Sequence, residues 1–213
     1  MPRPSQHIDQ RLLDAGLALL PETGCKGLSA RRLAEHAGVN LGMFHYHFRN
    51  KDNFIRILLD QVYERMFSML SLRATEGASP RENLRNALLV LARFGNEHRR
   101  LLRRIVADAL AGEPVAGEFL RTNVPRHIAI LAGLIAAAQR EGQLVTAPLP
   151  QLLAFLAGAI LAPLLLGTAL AEHGTLPAPL ATGFESAVAS DDVIAQRIDF
   201  ALRGLSALPE APP

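Results

Sequence analysis

The sequence contains very little cysteine and few aromatic residues. Its 213 residues include one cysteine, no tryptophan and two tyrosines. A lone Cys25 cannot form an intramolecular disulfide, and it leaves no second thiolate for a structural zinc site. The first ten residues also contain no apolar run of the length found in signal peptides. We therefore expect a cytoplasmic protein that holds no disulfide, metal ion or cofactor.

Motifs of several large enzyme classes are missing as well. The chain has no glycine loop that would cradle a phosphate, no Gly-x-Ser-x-Gly elbow and no His-Glu-x-x-His pair. Paired carboxylates that would flank a cleft as acid and base are not recognisable either. We therefore expect a protein that is not an enzyme.

Alternating apolar and polar runs, which half-buried strands would require, are absent. Nearly every periodic segment has helical spacing, so we expect an all-α fold. Residues 174–190, rich in Gly, Pro, Ala and Thr, are expected to form a loop. Helices are expected over residues 8–20, two short stretches within 29–48, 51–75, 80–94, 98–111, 113–141 with a kink at Pro125, 149–172 and 191–208.

Charged residues are missing from residues 152–171, a run that reaches transmembrane length. No Lys or Arg stands at either end of the run, no Trp or Tyr belt accompanies it, and Pro163 interrupts it. We therefore favour a helix that is buried all round in a soluble bundle over a membrane span.

Two apolar stripes are candidates for a dimer interface. Ala154, Gly158 and Ala162 repeat every four residues, and such small side chains let another backbone approach closely. The last helix repeats apolar residues at intervals of four and three, as bundle helices do. Its stripe is formed by Ile194, Ile198, Ala201, Leu205 and Leu208.

The net charge of the chain is only +2, but cations concentrate near the N-terminus. Six cations and two anions lie between Lys26 and Arg56. A local basic surface of this kind is a candidate footprint for phosphates, although a solvated helix face explains the charge equally well. The spacing of the neighbouring residues has to decide between these two interpretations.

Residues 28–54, LSARRLAEHAGVNLGMFHYHFRNKDNF, carry the signals of two short helices joined by a tight turn. Ser29 is a good N-cap for the first helix, and Asn40 is a good N-cap for the second. Gly38 supplies the positive φ that the turn needs. The segment therefore has the pattern of a helix-turn-helix.

The second of these helices has an inward and an outward face. At about 100° per residue, Phe44 and Phe48 point inward, whereas Gly42, Met43 and Tyr46 point outward. A short helix of this shape suits the major groove of DNA, and the flanking cations are placed to hold phosphates. These cations are Arg31, Arg32, Arg49 and Lys51.

The segment resembles the DNA-binding domain of the tetracycline-repressor (TetR) family. The matching features are Leu33-Ala34, Ala37-Gly38-Val39, Gly42, Tyr46-His47-Phe48 and Lys51. The resemblance implies a three-helix DNA-binding domain at residues 1–52. It also implies a larger domain of about nine helices at residues 53–213, which binds an effector and forms a homodimer through the last two helices.

The resemblance further implies which side chains contact DNA. The expected contacts come from Ser29, Arg31, Arg32, Asn40, Leu41, Gly42, Met43, His45, Tyr46, His47 and Lys51. His45 stands where the family usually has tyrosine, so DNA binding could depend on pH. Leu41 replaces a residue that is often long and polar, and it can only make apolar contacts such as one to a thymine methyl group. His45 and His47 project about 200° apart and cannot share a metal ion.

The function implied is that of a repressor released from a palindromic operator by a small, largely apolar effector. The alternative is a helical enzyme or a helical protein that does not bind DNA. Candidate pocket residues are Phe67, Phe94, Phe119, Asn123, His127 and Phe155, although each could equally be ordinary core.

Two further features are expected to be structural. The basic cluster from Arg99 to Arg104 is more consistent with a solvated face or with salt bridges to other helices than with an anionic effector or an extra DNA contact. Cys25 is expected to be an inert thiol rather than a redox sensor, even if neighbouring Lys26 lowers its pKa slightly.

Overall fold

A computed structural model describes residues 4–207, with side chains from Ile8 onward. Within that range the chain is helical and contains no strand, which confirms the expected all-α fold. A short π-helix, Pro163–Gly167, joins α8 to α9. The α-helices are α1 (Pro4–Gly27), α2 (Ala30–Ala37), α3 (Leu41–Phe48), α4 (Lys51–Arg73), α5 (Pro80–Glu97), α6 (Arg99–Leu110), α7 (Pro114–Arg140), α8 (Leu149–Ala162), α9 (Thr168–Glu172), α10 (Ala178–Ala181), α11 (Phe184–Ala189) and α12 (Asp191–Gly204).

The predicted end of the first helix is wrong. α1 continues past Pro21 and reaches Gly27, although Gly24 leaves helical geometry at φ 65° and ψ 178°. A proline removes one hydrogen bond from a helix, but burial of Leu20 and Cys25, both 0% exposed, holds this segment against the core. The break in α1 therefore falls at the glycine rather than at the proline.

The prediction of a loop at residues 174–190 is also wrong, because this segment contains α10 and α11. α11 packs against α9 and α12. The Arg197 side chain in α12 donates a hydrogen bond to the Val188 carbonyl at 3.0 Å. Contacts between distant segments thus make short helices from a sequence whose composition favours turns.

The first of two compact units comprises residues up to Arg65 together with Arg100–Val124. Phe44, Phe48 and Phe54 form its aromatic centre, with ring centroids 4.9 to 5.7 Å apart. Such ring pairs contribute roughly 0.5–1.5 kcal/mol beyond the area that they bury. The predicted domain of residues 1–52 was defined by its motif rather than by compactness, and it stays a prediction.

The second compact unit comprises Met66–Arg99 and the residues from Pro125 onward. In it, α12 packs against α5 and α8. The Arg85 guanidinium donates two hydrogen bonds to the Asp199 carboxylate, at 2.6 and 3.0 Å. Hydrogen bonding from Arg85 holds the pKa of Asp199 below its ordinary value.

The apolar stretch Leu149–Glu172 is the one helical run in the described residues with the length and composition to cross a membrane. One such run is weak evidence for a span, and its packing is that of a bundle helix. Leu152, Leu156 and Ile160 are each 2% exposed and face the core of the second unit. Thr168, also buried, donates its hydroxyl to the Leu164 carbonyl across the π-helix at 2.5 Å.

The expectation that this helix is buried all round is wrong. Ala154 and Gly158 are exposed in the single chain, and Ala162 is half-buried. Phe155 on the same helix is 44% exposed, and Phe200 of α12 is 55% exposed. The helix therefore buries one face within the chain and presents its small-residue stripe outward.

The predicted interface residues of α12 need correction. Ile194, Ile198, Ala201 and Leu205 are at most 8% exposed, because they pack into the core of their own unit. The stripe at intervals of four and three is therefore core packing within one chain. Leu208 lies outside the described residues.

Candidate nucleic-acid interface

The helix-turn-helix of α2 and α3 is closed by the local contacts that the sequence predicts. The Ser29 hydroxyl accepts a hydrogen bond from the Arg32 amide at 3.2 Å. Gly38 adopts φ 62° and ψ 39°, and the following Val39 amide donates to the Ala34 carbonyl at 2.9 Å. The Asn40 side chain accepts from the Gly42 amide at 2.7 Å. Both N-caps and the glycine turn are confirmed.

The two faces of α3 also divide as predicted. Phe44 and Phe48 are 0% and 4% exposed, whereas Tyr46 is 78% exposed and Leu41 is 40% exposed. Gly42 and His45 are exposed too, and Met43 is half-buried. The outward face is thus apolar and aromatic, and it is free to enter a groove.

A strained turn follows α3. Arg49 has φ 63° and ψ −58°, and the Asn50 amide donates to the Phe48 carbonyl at 2.7 Å, which forms a γ-turn. Asn50 then caps α4, because its side chain accepts from the Asn53 amide at 2.8 Å. His45 Nδ1 lies 3.1 Å from the Arg49 carbonyl. Since a carbonyl only accepts, this contact places the proton of a neutral His45 on Nδ1.

His47 does not face outward, so its prediction as a DNA contact needs correction. Its side chain is 10% exposed, and Nδ1 lies 2.5 Å from the Asp9 carboxylate of α1. The helical period places His47 at the rim of the outward face of α3, so a partner on α1 can hold its side chain inward. His47 therefore fixes α3 against α1 instead of presenting its ring to DNA.

Lys51 connects two helices. It opens α4, is half-buried, and its ammonium donates to the Cys25 carbonyl at 2.8 Å. This contact joins α1 to α4, and the phosphate contact of Lys51 stays a prediction. No local signal could have predicted the contact with Cys25, because the two residues lie 26 positions apart in the chain.

The remaining cations differ in their pairing. Arg31 pairs with Glu35 at 2.9 Å on an exposed face of α2, and Arg56 pairs with Glu118 of α7 at 3.0 Å. Lys26, Arg32 and Arg49 are exposed, and no carboxylate in residues 8–207 pairs with their side chains. These three cations are the ones free to meet phosphates.

Sequence reasoning missed Arg11, which lies on α1. Its guanidinium donates to the Ala37 carbonyl at 2.5 Å and to the Gly38 carbonyl at 3.1 Å. A cation at the end of a helix satisfies orphan carbonyls and complements the helix dipole. Arg11 thereby fixes the turn that sets the angle between α2 and α3.

The basic start of α6 makes the salt bridges that were expected. In the second unit, Arg99 pairs with Glu185 at 2.7 Å. In the first unit, Arg100 lies 4.0 Å from Glu22, and Arg104 pairs with Asp108 at 3.0 Å. This clustering of cations is therefore explained by pairing within each unit.

Cys25 is buried and inert, but its pKa moves opposite to expectation. Burial, together with a hydrogen bond to Asp108, raises the pKa of the thiol to about 12. Lys51 acts in the opposite direction with a smaller effect. A protonated, fully buried thiol does not serve as a redox sensor.

The six candidate pocket residues do not share one compact unit. Phe119 and Asn123 belong to the first unit, and Phe67, Phe94, His127 and Phe155 belong to the second. Phe155 is at the surface and needs correction as a pocket residue, because its ring is 44% exposed. A cavity of about 670 Å³ in the second unit is lined by other residues, among them Arg81, Arg85 and Asp199. The pocket therefore stays a prediction.

Comparison with known proteins bears on the α1–α4 segment. A sequence profile described as bacterial regulatory proteins, tetR family, matches residues 12–56. Residues 12–56 are thus similar to the TetR family of bacterial regulatory proteins. The class A tetracycline repressor from transposon 1721 of Escherichia coli is 44% identical to this chain over 57 residues, covering 27% of this chain and 24% of the repressor.

Other relatives match a larger share of the chain. A probable HTH-type transcriptional regulator, YttP of Bacillus subtilis strain 168, is 22% identical over 62% of this chain and 64% of its own length. A TetR family transcription regulator from Marinobacter aquaeolei VT8 matches in structure, with a TM-score of 0.68 at 18% identity over 98% of this chain and all of that chain. The named relatives are transcription regulators rather than enzymes. The matched regions span less than two thirds of the curated relatives' own lengths.

Proposed function

We propose that this chain is a cytoplasmic repressor of the TetR family that binds a palindromic operator as a homodimer and leaves it when a small, largely apolar effector binds. The observation that carries the proposal is the outward face of α3, held by caps at both ends of the α2–α3 turn. On this face Leu41 is 40% exposed, Tyr46 is 78% exposed and Gly42 is exposed as well, so an apolar, aromatic surface lies open to a partner.

The roles that we assign to the side chains at the DNA follow from their exposure and charge. Leu41, Gly42, Met43 and Tyr46 approach base edges in the major groove, where thymine methyl groups suit apolar side chains. Arg32 and Arg49 lie at the two ends of the motif and contact phosphates, which position the protein without reading sequence. Ser29 and Asn40 act through their caps, and Arg31 contributes after releasing Glu35.

The homodimer places two such motifs on one operator. The exposed stripe of Ala154 and Gly158, flanked by Phe155 and Phe200, supplies an apolar face from the last long helices of the second unit. Two α3 helices then enter successive major grooves about 34 Å apart on a palindromic site. Binding of an effector changes this separation, so effector and DNA affinities are reciprocally linked.

A titration of the purified protein against DNA that flanks its own gene tests the proposal. We expect binding that is specific and falls steeply with salt, and binding equal to that of an unrelated duplex contradicts the proposal. Arg32→Ala should weaken binding to all sequences about equally and reduce the salt slope by about 1. Met43→Ala should instead change the sequence preference, and a uniform loss in this variant would contradict the groove assignment.

A further inference from the structure

A buried polar cluster in the first unit joins α6 to the break in α1 and to the first residue of α4. We call this cluster the α1 clasp. None of its members lies on the outward face of α3, so the reading of DNA does not explain it. The clasp consists of Gly24, Cys25, Lys51, Arg104 and Asp108.

The break in α1 creates the need for the clasp. Gly24 has φ 65° and ψ 178°, which removes the following amide from the regular helical ladder. The Cys25 amide donates instead to Asp108 Oδ2 at 2.7 Å, in a fully buried position. A buried amide without an acceptor is strongly unfavourable, so Asp108 is the group that makes this backbone geometry tolerable.

The opposite side of the same residue is held by α4. The Cys25 carbonyl accepts a hydrogen bond from Lys51 Nζ at 2.8 Å. One residue is thus bound through its N–H by α6 and through its C=O by α4. Ser29, the cap that begins α2, follows only four positions later.

Asp108 leaves α6 little freedom to move relative to α1. The residue is 8% exposed, and its second oxygen pairs with Arg104 Nε at 3.0 Å. The Arg104 guanidinium fills the space where a side chain on Gly24 would lie, so the two helices are in direct contact there. Arg104 and Asp108 lie one turn apart on α6, so their pairing orients the carboxylate, and the hydrogen bond to the Cys25 amide joins α6 to α1.

We propose that Asp108 is a positioning residue for DNA binding, because it fixes α1 through the Cys25 amide while Lys51, at the start of α4, holds the carbonyl of the same residue. The inference rests on the proposed DNA-binding function. DNA then binds the clasped state preferentially, so DNA binding and closure of the clasp stabilise each other by the same factor.

Chemical modification of the Cys25 thiol measures how often the clasp opens in the wild-type protein. The thiol is 0% exposed, and its pKa is raised to about 12 by burial and Asp108, so it reacts only when the segment opens. No other cysteine interferes, because the chain contains one. A saturating duplex of the DNA flanking the gene should slow modification of the wild-type thiol by an aromatic disulfide reagent, whereas an unrelated duplex should slow it less.

The matched variants are Asp108→Asn and Glu118→Gln. Each removes one negative charge from the first unit, so non-specific attraction to phosphate changes equally. Glu118 is exposed and pairs only with Arg56 among its described contacts. We expect Asp108→Asn to weaken specific binding about fivefold or more relative to Glu118→Gln, and to raise the rate of thiol modification in the free protein.

Three outcomes would overturn the inference. Asp108 is merely structural if Asp108→Asn lowers the melting temperature but matches Glu118→Gln in DNA affinity and thiol reactivity. If Asp108→Asn does not fold, the wild-type measurement decides, and equal thiol rates with and without the flanking duplex contradict the coupling. Failure of the wild-type protein to bind that duplex specifically overturns the proposed function first and the inference with it.

Discussion

Arg49 is the one non-glycine residue with a positive φ in the described part of the chain. Its γ-turn costs about 1–3 kcal/mol for a residue with a side chain, whereas glycine tolerates it. We therefore expect Arg49→Gly to raise the free energy of unfolding by about 1 kcal/mol, after the greater entropy of glycine in the unfolded chain is taken into account. Chemical denaturation of the purified protein measures the change.

Arg49→Ala is the matched control, because it removes the guanidinium and keeps the backbone strain. It should leave stability within about 0.5 kcal/mol of the wild type. Both variants should weaken DNA binding to a similar extent, since both lose a free cation. Equal stability of the glycine and alanine variants would show that the turn is not strained.

Helices α2 and α3 could be predicted from the sequence because their signals are local. Ser29, Gly38 and Asn40 each act on residues within four positions, and the helical period alone sorts Phe44 from Tyr46. The same reasoning failed for α1. Pro21 predicted that the helix ends there, whereas burial of the residues that follow, which no local pattern displays, keeps them helical. The reasoning also failed for residues 174–190, where α11 forms because α9 and α12 pack on it.

The functional side chains divide in the same way. Exposure of Tyr46 follows from the period of its helix, and the cap formed by Asn40 follows from its residue type. The inward turn of His47 depends on Asp9, and the role of Lys51 depends on Cys25, both far away in the chain. Such pairings between elements require the packing of α1 against α3 and α4, which no local pattern specifies.

The ion pair between Arg85 of α5 and Asp199 of α12 predicts that the stability of the fold falls in acid. Arg85 lowers the pKa of Asp199 below 3.8, so the native state favours the ionised carboxylate more than the unfolded state does. Its contribution is present above that value and is lost as the pH falls through the folded-state pKa. We expect Asp199→Asn to cost about 0.5 kcal/mol near neutral pH, because the pair is partly exposed, and to cost less in acid.

A double-mutant cycle isolates this interaction. In an Arg85→Gln background, Asp199→Asn should have little effect on the unfolding midpoint at either pH. A cost for Asp199→Asn that is equal near neutral pH and in acid would contradict a stabilising ionised pair.

At the scale of the whole molecule, the proposed homodimer depends on the exposed stripe of α8, through which two chains would present two motifs to one operator. Beyond the chain neighbours of Gly158 and the adjacent backbone of its own helix, no described atom lies within 4 Å of a Cβ added there, so we expect Gly158→Glu to leave the fold of the single chain intact. In a dimer, the same carboxylate would be buried where backbones approach closely, which is strongly unfavourable. We therefore expect this variant to be monomeric by sedimentation.

Loss of the dimer should weaken DNA binding, because a monomer that binds one half-site no longer holds a second motif close to the other half-site. We expect Gly158→Glu to bind the flanking duplex on the order of a hundredfold more weakly, although its helix content is preserved. Gly133→Glu is the matched control, since Gly133 is exposed on α7 with equally open space around it and gains the same charge. If both glutamate variants lose affinity equally, added negative charge explains the effect. If Gly158→Glu stays dimeric, the interface lies on another face of the chain.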